Sequence, residues 1–455
     1  MQNIFLILIH WFMLILFTIY SFNNVKIVIE VEQSNTPLIV LGIFGILTFL
    51  GKSLLEIRIS IRKSFFLLIM FFMYVLMQGF IIDYNYLKSL TLGRSGGIIY
   101  GVAYGFIVKL IVHSIFVKIR RGLQLKKVNL AFAVVFFSFI TLYVYKISSF
   151  LLGFGRYDIF LISYEYSNLY QTPAAYISIF MMVLSYLLVL LFTAYNNSNF
   201  SLKKISLSII FILYFICSLK LMLLSQLLGS NNGLVVVITF FLLTVFFVQV
   251  NFIKKIKRKI NRISRMSLLK FIGINKFFFR QAVLLLSCIV GVLYVVIKIT
   301  DFDLLTLRIF NFGFSSSLVS SSFVSRFELI QNFIIQFFYN PIFGNLNVDR
   351  LTTGTGTYAH SLPLSLLSHT GLIGFLIFIA LVYSILSELS SEQKKTPHYF
   401  FISSRTIYLY KIYWILLVLI MATFATFFNW LPLWFSLGFC ANYIVLQKDV
   451  ITRKN

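Results

Sequence analysis

Two histidines lie beside the start of an apolar run near the C-terminal end of this chain, in the segment His360-Ser-Leu-Pro-Leu-Ser-Leu-Leu-Ser-His369-Thr-Gly-Leu-Ile-Gly374. The 455-residue chain has only five histidines, so two in one segment set it apart. An imidazole exchanges protons near neutral pH, and an ionisable residue at a membrane span is a candidate for acid–base chemistry. A structural hydrogen-bond donor is the alternative role for a histidine in this place.

A cation and a turn precede that segment: Arg326 comes first, and Asn340-Pro-Ile-Phe-Gly344 follows. A guanidinium binds phosphate oxygens through two parallel hydrogen bonds and stays charged when partly buried. Around Arg326 the apolar residues recur at helical spacing and predict an amphipathic helix lying flat on a membrane. These are Phe323, Phe327, Ile330, Ile334, Phe337 and Phe338. At the edge of this stripe Arg326 would contact a lipid phosphate, or it would simply extend to the headgroup layer.

The elements that position these residues are membrane spans. The chain is 60% hydrophobic and 11% charged, with a mean hydropathy of +0.94. Apolar runs long enough to cross the hydrocarbon layer recur from end to end. We therefore predict an all-α, polytopic integral membrane helical bundle, a single domain over 1–455 with about 12 transmembrane helices. The predicted spans are 4–22, 37–51, 64–82, 97–117, 128–146, 174–195, 205–224, 233–250, 281–299, 361–387, 411–428 and 430–446.

The net charge of +26 follows the same topology. Lysines and arginines concentrate between alternate spans, above all in a basic loop at 251–280, as the cytoplasmic side of a membrane protein requires. That loop is expected to lie against anionic lipid, and we expect no nucleic-acid partner. Both termini are then cytoplasmic, the first run from Ile4 is a retained span, and 300–360 is an extracytoplasmic loop carrying the amphipathic helix.

Several further arginines are predicted on the outer side, where topology selects against them: Arg94, Arg156, Arg308 and Arg350. They are second-rank candidates for binding phosphate, with extension to the interface or a local carboxylate partner as the alternative. Glu30-Val-Glu32 after the first span could hold a divalent cation, because hard cations prefer carboxylate oxygens. The cysteines Cys217, Cys288 and Cys440 all lie in apolar runs and indicate neither a disulfide nor a metal cluster.

The segment from His360 to Gly374 resembles the superfamily of O-antigen polymerases (Wzy-type) and O-antigen ligases, which are polytopic membrane proteins. The shared pattern is a histidine, leucines four and seven residues later, and Gly-Leu-x-Gly entering a span. Arg326 with the Pro-x-Phe-Gly turn is similar to the element that precedes it. Ser361 stands where the family usually has Asn, and His369 where an acidic residue is common. Asn231, in Gly229-Ser-Asn-Asn-Gly233, stands where an Arg is often found, so no phosphate role is assigned to it.

The resemblance implies a metal-independent enzyme without cofactors, in the bacterial inner membrane, with its active site facing outward. It would polymerise oligosaccharide repeat units linked to undecaprenyl pyrophosphate, for O-antigen or capsule. His360 is then expected to act as a base or to orient the acceptor, and Arg326 to bind pyrophosphate. Arg308, Arg350, Arg156, Arg94 and His369 are expected around the same substrate. Implied partners are the lipid-linked oligosaccharides, membrane lipid, a chain-length regulator and a flippase.

Three rival functions fit parts of the sequence. A ligase that transfers finished polymer has the same fold and motif. A lipid-linked oligosaccharide flippase would also have about twelve spans, but its cations should lie inside the spans around a central cavity. A metal-dependent membrane glycosyltransferase would need Glu30 and Glu32. The repeat-unit sugars, the linkage and the oligomeric state leave no signature in the sequence.

Overall fold

The structure, a computed structural model, is built almost wholly of helices. It describes residues 2–26, 36–53, 57–82, 97–117, 123–152, 171–195, 202–228, 230–261, 333–335, 337–345, 361–395, 404–425 and 430–448. The helices and strands are α1 (Gln2–Lys26), α2 (Thr36–Ser53), β1 (Ile57–Ile61), α3 (Lys63–Ile82), α4 (Ile98–Val117), α5 (Leu123–Leu152), α6 (Gln171–Tyr195), α7 (Leu202–Leu227), α8 (Asn231–Asn261), α9 (Leu362–Lys395), α10 (Ser404–Ala425), α11 (Leu431–Cys440) and β2 (Ile444–Lys448).

Within these ranges, nine helices are long and apolar enough to cross a membrane, and α11 and the Leu38–Leu47 stretch of α2 are shorter apolar helices. The protein is therefore a multi-pass helical membrane protein, as predicted. The predicted span 281–299 lies outside the described residues, so the number of spans stays a prediction. The predicted span 430–446 is too long, because α11 ends at Cys440 and the chain becomes extended at Ile444 to form β2.

Helix α6 lies at the centre of the bundle. Of its spanning residues 89% are buried, against 33–56% in the other spanning helices. Its Tyr186 hydroxyl lies 2.8 Å from Nε2 of His113 in α4. The same ring packs edge-on against Trp414 of α10 and Phe439 of α11, with centroids 6.0 and 5.1 Å apart. Contacts of this one ring thus join three helices, α4, α10 and α11, to α6.

Helix α11 is short, and all ten of its residues are buried. It packs backbone to backbone on α4 through glycines of both helices. A Cβ at Gly101 would lie 2.7 Å from Cβ of Trp434, one at Gly105 would overlap the Phe435 carbonyl oxygen, and one at Gly438 would overlap the Val102 carbonyl oxygen. Small residues permit such close approach of helices inside a membrane.

A two-stranded ribbon closes one end of the bundle. β1 pairs antiparallel with β2, with Ile57 opposite Lys448. Beside it, Arg62 forms an ion pair with Glu392 near the end of α9. The Ser64 amide and hydroxyl, at the start of α3, donate to the Glu388 carboxylate at 3.0 and 2.6 Å. We call this the ribbon end.

The chain divides into two compact units, Met1–Phe247 with Phe323–Asn455, and Val248–Ser322. The helices and contacts described above belong to the first unit. Of the second unit the structure describes only 248–261, the last part of α8. The single domain over 1–455 and the extracytoplasmic loop at 300–360 therefore stay predictions, as does the cytoplasmic position of the basic loop at 251–280.

Candidate active site

Helix α9 is broken at Gly371, the first glycine of the Gly-Leu-x-Gly pattern. Its φ of 63° and ψ of −172° are far from helical values. A positive φ is accessible to glycine at no steric cost but is unfavourable for other residues. The histidine segment is therefore a short helical piece, Leu362–Thr370, set off from the long remainder of α9.

The Asn340–Gly344 turn inserts into this break. In an unbroken helix the Leu372 amide would donate to the Ser368 carbonyl. Here the Leu372 amide donates instead to the Pro341 carbonyl at 2.9 Å, and the Ser368 carbonyl accepts from the Asn345 amide at 3.0 Å. The Ile373 amide also donates into the turn, to the Ile342 carbonyl at 3.2 Å. The turn thus satisfies the backbone groups that the break leaves open.

Two glycines permit this contact, which we call the joint. Gly344 has a φ of 73°. A Cβ on Gly344 would overlap the Gly371 nitrogen, and a Cβ on Gly371 would overlap the Gly344 nitrogen. Neither position accommodates a side chain. The two sequence segments that carry the family resemblance therefore meet through their glycines.

Two side chains of α3 cover the joint. The Tyr74 hydroxyl lies 2.7 Å from the Phe343 carbonyl of the turn and 2.8 Å from the Thr370 carbonyl of α9. The Gln78 amide donates to the Phe343 carbonyl, and to the Tyr74 hydroxyl at 3.0 Å. Ser64 of the same helix is at the ribbon end. The joint therefore lies toward the opposite end of α3, which we call the motif end.

Tyr74 and Gln78 were not among the residues predicted for the site, although the sequence carries a signal for them. They are polar residues four apart in an apolar span, so they lie on the same face of the helix. A polar residue inside a span is itself a pointer to a site. The sequence does not reveal which carbonyls these side chains contact, because their partners lie in a segment about 270 residues later, whose packing position the sequence does not specify.

His369 is the candidate residue that the structure describes. Its side chain is 3% exposed, and Nδ1 lies 2.7 Å from the Ser365 carbonyl and 3.2 Å from the Ser368 hydroxyl. This nitrogen is bonded to the preceding turn of its own helix. His369 thus has the structural hydrogen bond that was the alternative reading, two residues before the break at Gly371.

The other candidate residues lie outside the described part of the chain: Arg94, Arg156, Arg308, Arg326, Arg350 and His360. Two of them are adjacent in sequence to described elements. His360 directly precedes Ser361, whose carbonyl accepts the Ser365 amide at 2.8 Å in the first turn of α9. Arg326 precedes the turn by 14 residues. Their roles stay predictions.

The predicted amphipathic helix is described only at its end, where 333–335 and 337–339 are helical. Three of its apolar side chains there are exposed, Ile334 at 48%, Ile335 at 62% and Phe338 at 71%, and Phe333 and Phe337 are half-buried. Ile342 and Phe343 of the turn are exposed by 54% and 56%. Exposed apolar residues at this density fit a lipid-facing surface.

Lys109 and Lys411 are among the lysines that lie inside the described spans. Lys109 of α4 donates to the Ala441 carbonyl, and to the Asn442 side chain at 2.9 Å, where α11 ends. A lysine at a helix C-terminus pairs with unsatisfied carbonyls. Lys411, predicted at the end of a span, is only 1% exposed and lies seven residues inside α10. Its ammonium faces the rings of Tyr186 and Tyr408 at 5.8 and 6.0 Å, which offers weak cation–π stabilisation.

Among the described residues no group of three or more His, Cys, Asp or Glu could hold a metal ion. Glu30 and Glu32 lie outside those residues. The Ser230 hydroxyl accepts the Gly233 amide at 3.0 Å, so Ser230 caps the start of α8. Cys217 and Cys440 are free and buried.

Comparison with models of known protein families gave no match to this chain, and comparison with curated proteins gave none either.

Proposed function

We propose that the protein is a membrane polymerase of lipid-linked oligosaccharide repeat units, and that its active site adjoins the joint. One observation carries the proposal. The two segments that resemble the polymerase and ligase superfamily, Asn340–Gly344 and His360–Gly374, contact each other through two backbone hydrogen bonds, and the Asn345 amide directly after the turn adds a third. A motif in two pieces forms one site only when the pieces meet, so this contact supports reading them together.

The reaction is a glycosyl transfer. A hydroxyl oxygen of the new repeat unit attacks the anomeric carbon of the growing chain, and the bond from that carbon to the undecaprenyl pyrophosphate oxygen breaks. The pyrophosphate leaves with the electron pair, and the attacking hydroxyl loses its proton. Catalysis therefore needs a group that accepts or orients that proton and cations that stabilise the leaving charge.

His360 takes the first role and Arg326 the second in this proposal. Arg308, Arg350, Arg156 and Arg94 are the further candidates for the pyrophosphate. The joint itself is formed by backbone amides and carbonyls that bond to each other. Its contribution is positional: it fixes the start of α9, directly after His360, against the turn that follows Arg326.

The proposed location is the bacterial inner membrane, with both termini cytoplasmic and the motif end facing outward. The exposed apolar side chains beside the turn support contact with membrane lipid. The substrates would be undecaprenyl-pyrophosphate-linked oligosaccharides, delivered by a flippase, and a chain-length regulator would be a partner. The enzyme would require no metal or cofactor.

The test is polysaccharide chain length in a deletion strain complemented with the wild type, His360→Ala or Arg326→Ala. Arg405→Ala, an exposed arginine at the start of α10, is the matched control. We expect long chains from the wild type and the control. The deletion and both site variants should accumulate single repeat units on lipid at the outer face. Long chains from both site variants, at equal expression, would refute the site.

The same experiment separates the rival functions. Loss of a ligase would leave full-length polymer on its lipid carrier. A flippase is the second candidate because Lys109 and Lys411 do lie inside the spans, where a flippase would hold its cations. Lys109, however, donates a hydrogen bond to the Asn442 side chain just after α11, and the Lys411 ammonium faces the Tyr186 ring. Loss of a flippase would leave single units on the cytoplasmic face, unlike loss of a polymerase.

A further inference from the structure

The donors at the joint can be assigned individually. A tyrosine hydroxyl has one proton, and a glutamine amide has two. The Gln78 amide uses one proton on the Phe343 carbonyl and the other on the Tyr74 oxygen. The Tyr74 proton is then free for the Thr370 carbonyl, 2.8 Å away. Two protons from α3 thus serve one carbonyl of the turn and one carbonyl at the helix break, and a third links the two side chains to each other.

The orientation of the Gln78 amide is fixed by this assignment. If the amide were rotated, its oxygen would face the Phe343 carbonyl oxygen, and two acceptors would repel each other. Gln78 is 8% exposed, and its Oε1 has no hydrogen-bond partner among the described residues. Leaving a buried acceptor unpaired is costly. The two hydrogen bonds that the Gln78 amide donates therefore hold the side chain in place, although its Oε1 stays without a donor in the described part of the chain.

Close packing also limits which residue can occupy position 374, beside the joint. A Cβ at Gly374 would overlap the Thr370 side chain and would lie 2.9 Å from Cε1 of Tyr74. The second glycine of Gly-Leu-x-Gly thus makes room for the Thr370 side chain and for the Tyr74 ring, as the first glycine makes room for the turn.

We propose that Tyr74 and Gln78 of α3 are positioning residues of the polymerase, which hold the Asn340–Gly344 turn in the break of α9. This proposal rests on the proposed function. By bonding to a carbonyl on each side of the joint, the pair resists separation of the turn from α9. Reacting groups displaced by even about 1 Å lose much of their rate, so this restraint acts on turnover.

The experiment uses the full-length protein in lipid nanodiscs with Tyr74→Phe and Gln78→Leu. Tyr383→Phe is the matched control, because it removes a tyrosine hydroxyl from a 73% exposed position in α9. Hydrogen exchange is followed at the Leu372 and Ile373 amides, which donate into the turn. At these two amides we expect about tenfold faster exchange in Tyr74→Phe and in Gln78→Leu, and wild-type exchange in the control.

Turnover is then measured with purified lipid-linked repeat units and corrected for the folded fraction. Loss of positioning should lower kcat about tenfold and leave KM within about twofold. Unchanged exchange in both variants would overturn the proposal that Tyr74 and Gln78 hold the turn in the break of α9. Faster exchange with unchanged kcat would overturn their role in positioning while leaving the proposed function in place. A folded wild type that protects these amides but does not turn over lipid-linked units would instead overturn the proposed function.

Discussion

At the scale of single residues, the conformation of Gly371 decides whether the turn can enter α9. Its φ of 63° is unfavourable for any other residue, and a Cβ would overlap the Gly344 nitrogen. An alanine there costs about 1–2 kcal/mol for the backbone alone. Relief of the overlap must also separate the turn from the helix, with the loss of backbone hydrogen bonds.

We therefore expect Gly371→Ala to lower the melting temperature of the purified protein in detergent and to abolish long-chain product. The matched control is Gly42→Ala in α2, where a Cβ would meet nothing within 4 Å. That change should leave the melting temperature unchanged or raise it, since alanine favours helix by about 1 kcal/mol over glycine. Equal melting temperatures for the two variants would contradict a structural role for the Gly371 conformation.

The sequence indicated the glycines of this site but not what surrounds them. Gly344 and Gly371 were singled out through the family resemblance, and the structure brings them into contact. Tyr74 and Gln78 were missed, because an apolar span predicts a helix but not which neighbour it packs against. His369 was expected near the substrate, and this stays a prediction. Its Nδ1 lies 2.7 Å from the Ser365 carbonyl, a local contact that residue type cannot reveal.

At the scale of elements, α11 differs most from its prediction. Its apolar sequence favoured a full span to residue 446, but the helix stops at Cys440. Lys109 donates to the Ala441 carbonyl just beyond that end. A half-length helix can end inside a bundle only where its last carbonyls find donors. The donor comes from α4, whose packing against α11 the hydropathy pattern does not encode.

The glycines of α4 set the distance to α11, which leads to a prediction about folding. Gly105→Leu would drive a side chain into the Phe435 carbonyl oxygen, and overpacking against backbone should cost at least about 3 kcal/mol. Ala103→Leu is the control, since Ala103 is exposed on the same helix. We expect Gly105→Leu to lose the monodisperse peak in size-exclusion chromatography and Ala103→Leu to keep it. A monodisperse Gly105→Leu protein would show that α4 and α11 need not approach so closely.

At the scale of the whole molecule, hydropathy predicted the class of fold well. Each predicted span within the described residues overlaps a helix, although α11 covers only part of the predicted span 430–446, because the hydrocarbon layer requires apolar helices whatever their neighbours. The arrangement of the helices could not be predicted in the same way. The central place of α6 and the β1–β2 ribbon both depend on contacts between segments far apart in sequence.

The two ends of the molecule carry the last prediction. Ser64 of α3 is at the ribbon end and Gln78 is at the joint, 14 residues later, which is about 21 Å along a helix. The excess of Lys and Arg between alternate spans, read with the positive-inside rule, predicts that the ribbon end lies in the cytoplasm and the motif end outside. The outward-facing site of the proposed polymerase depends on that assignment, because its lipid-linked substrate is polymerised on the outer leaflet.

The orientation of the two ends can be tested with a membrane-impermeant maleimide. Single cysteines are introduced into a variant that lacks Cys217, Cys288 and Cys440. Tyr339→Cys, at a 75% exposed position beside the turn, should be labelled in intact spheroplasts. Lys63→Cys, exposed at the ribbon end, should be labelled only after permeabilisation. Met70→Cys, 54% exposed midway along α3, should resist labelling throughout, because a lipid-facing thiol meets no water in which to ionise. Labelling of Lys63→Cys alone in intact spheroplasts would place the joint in the cytoplasm and exclude polymerisation at the outer face.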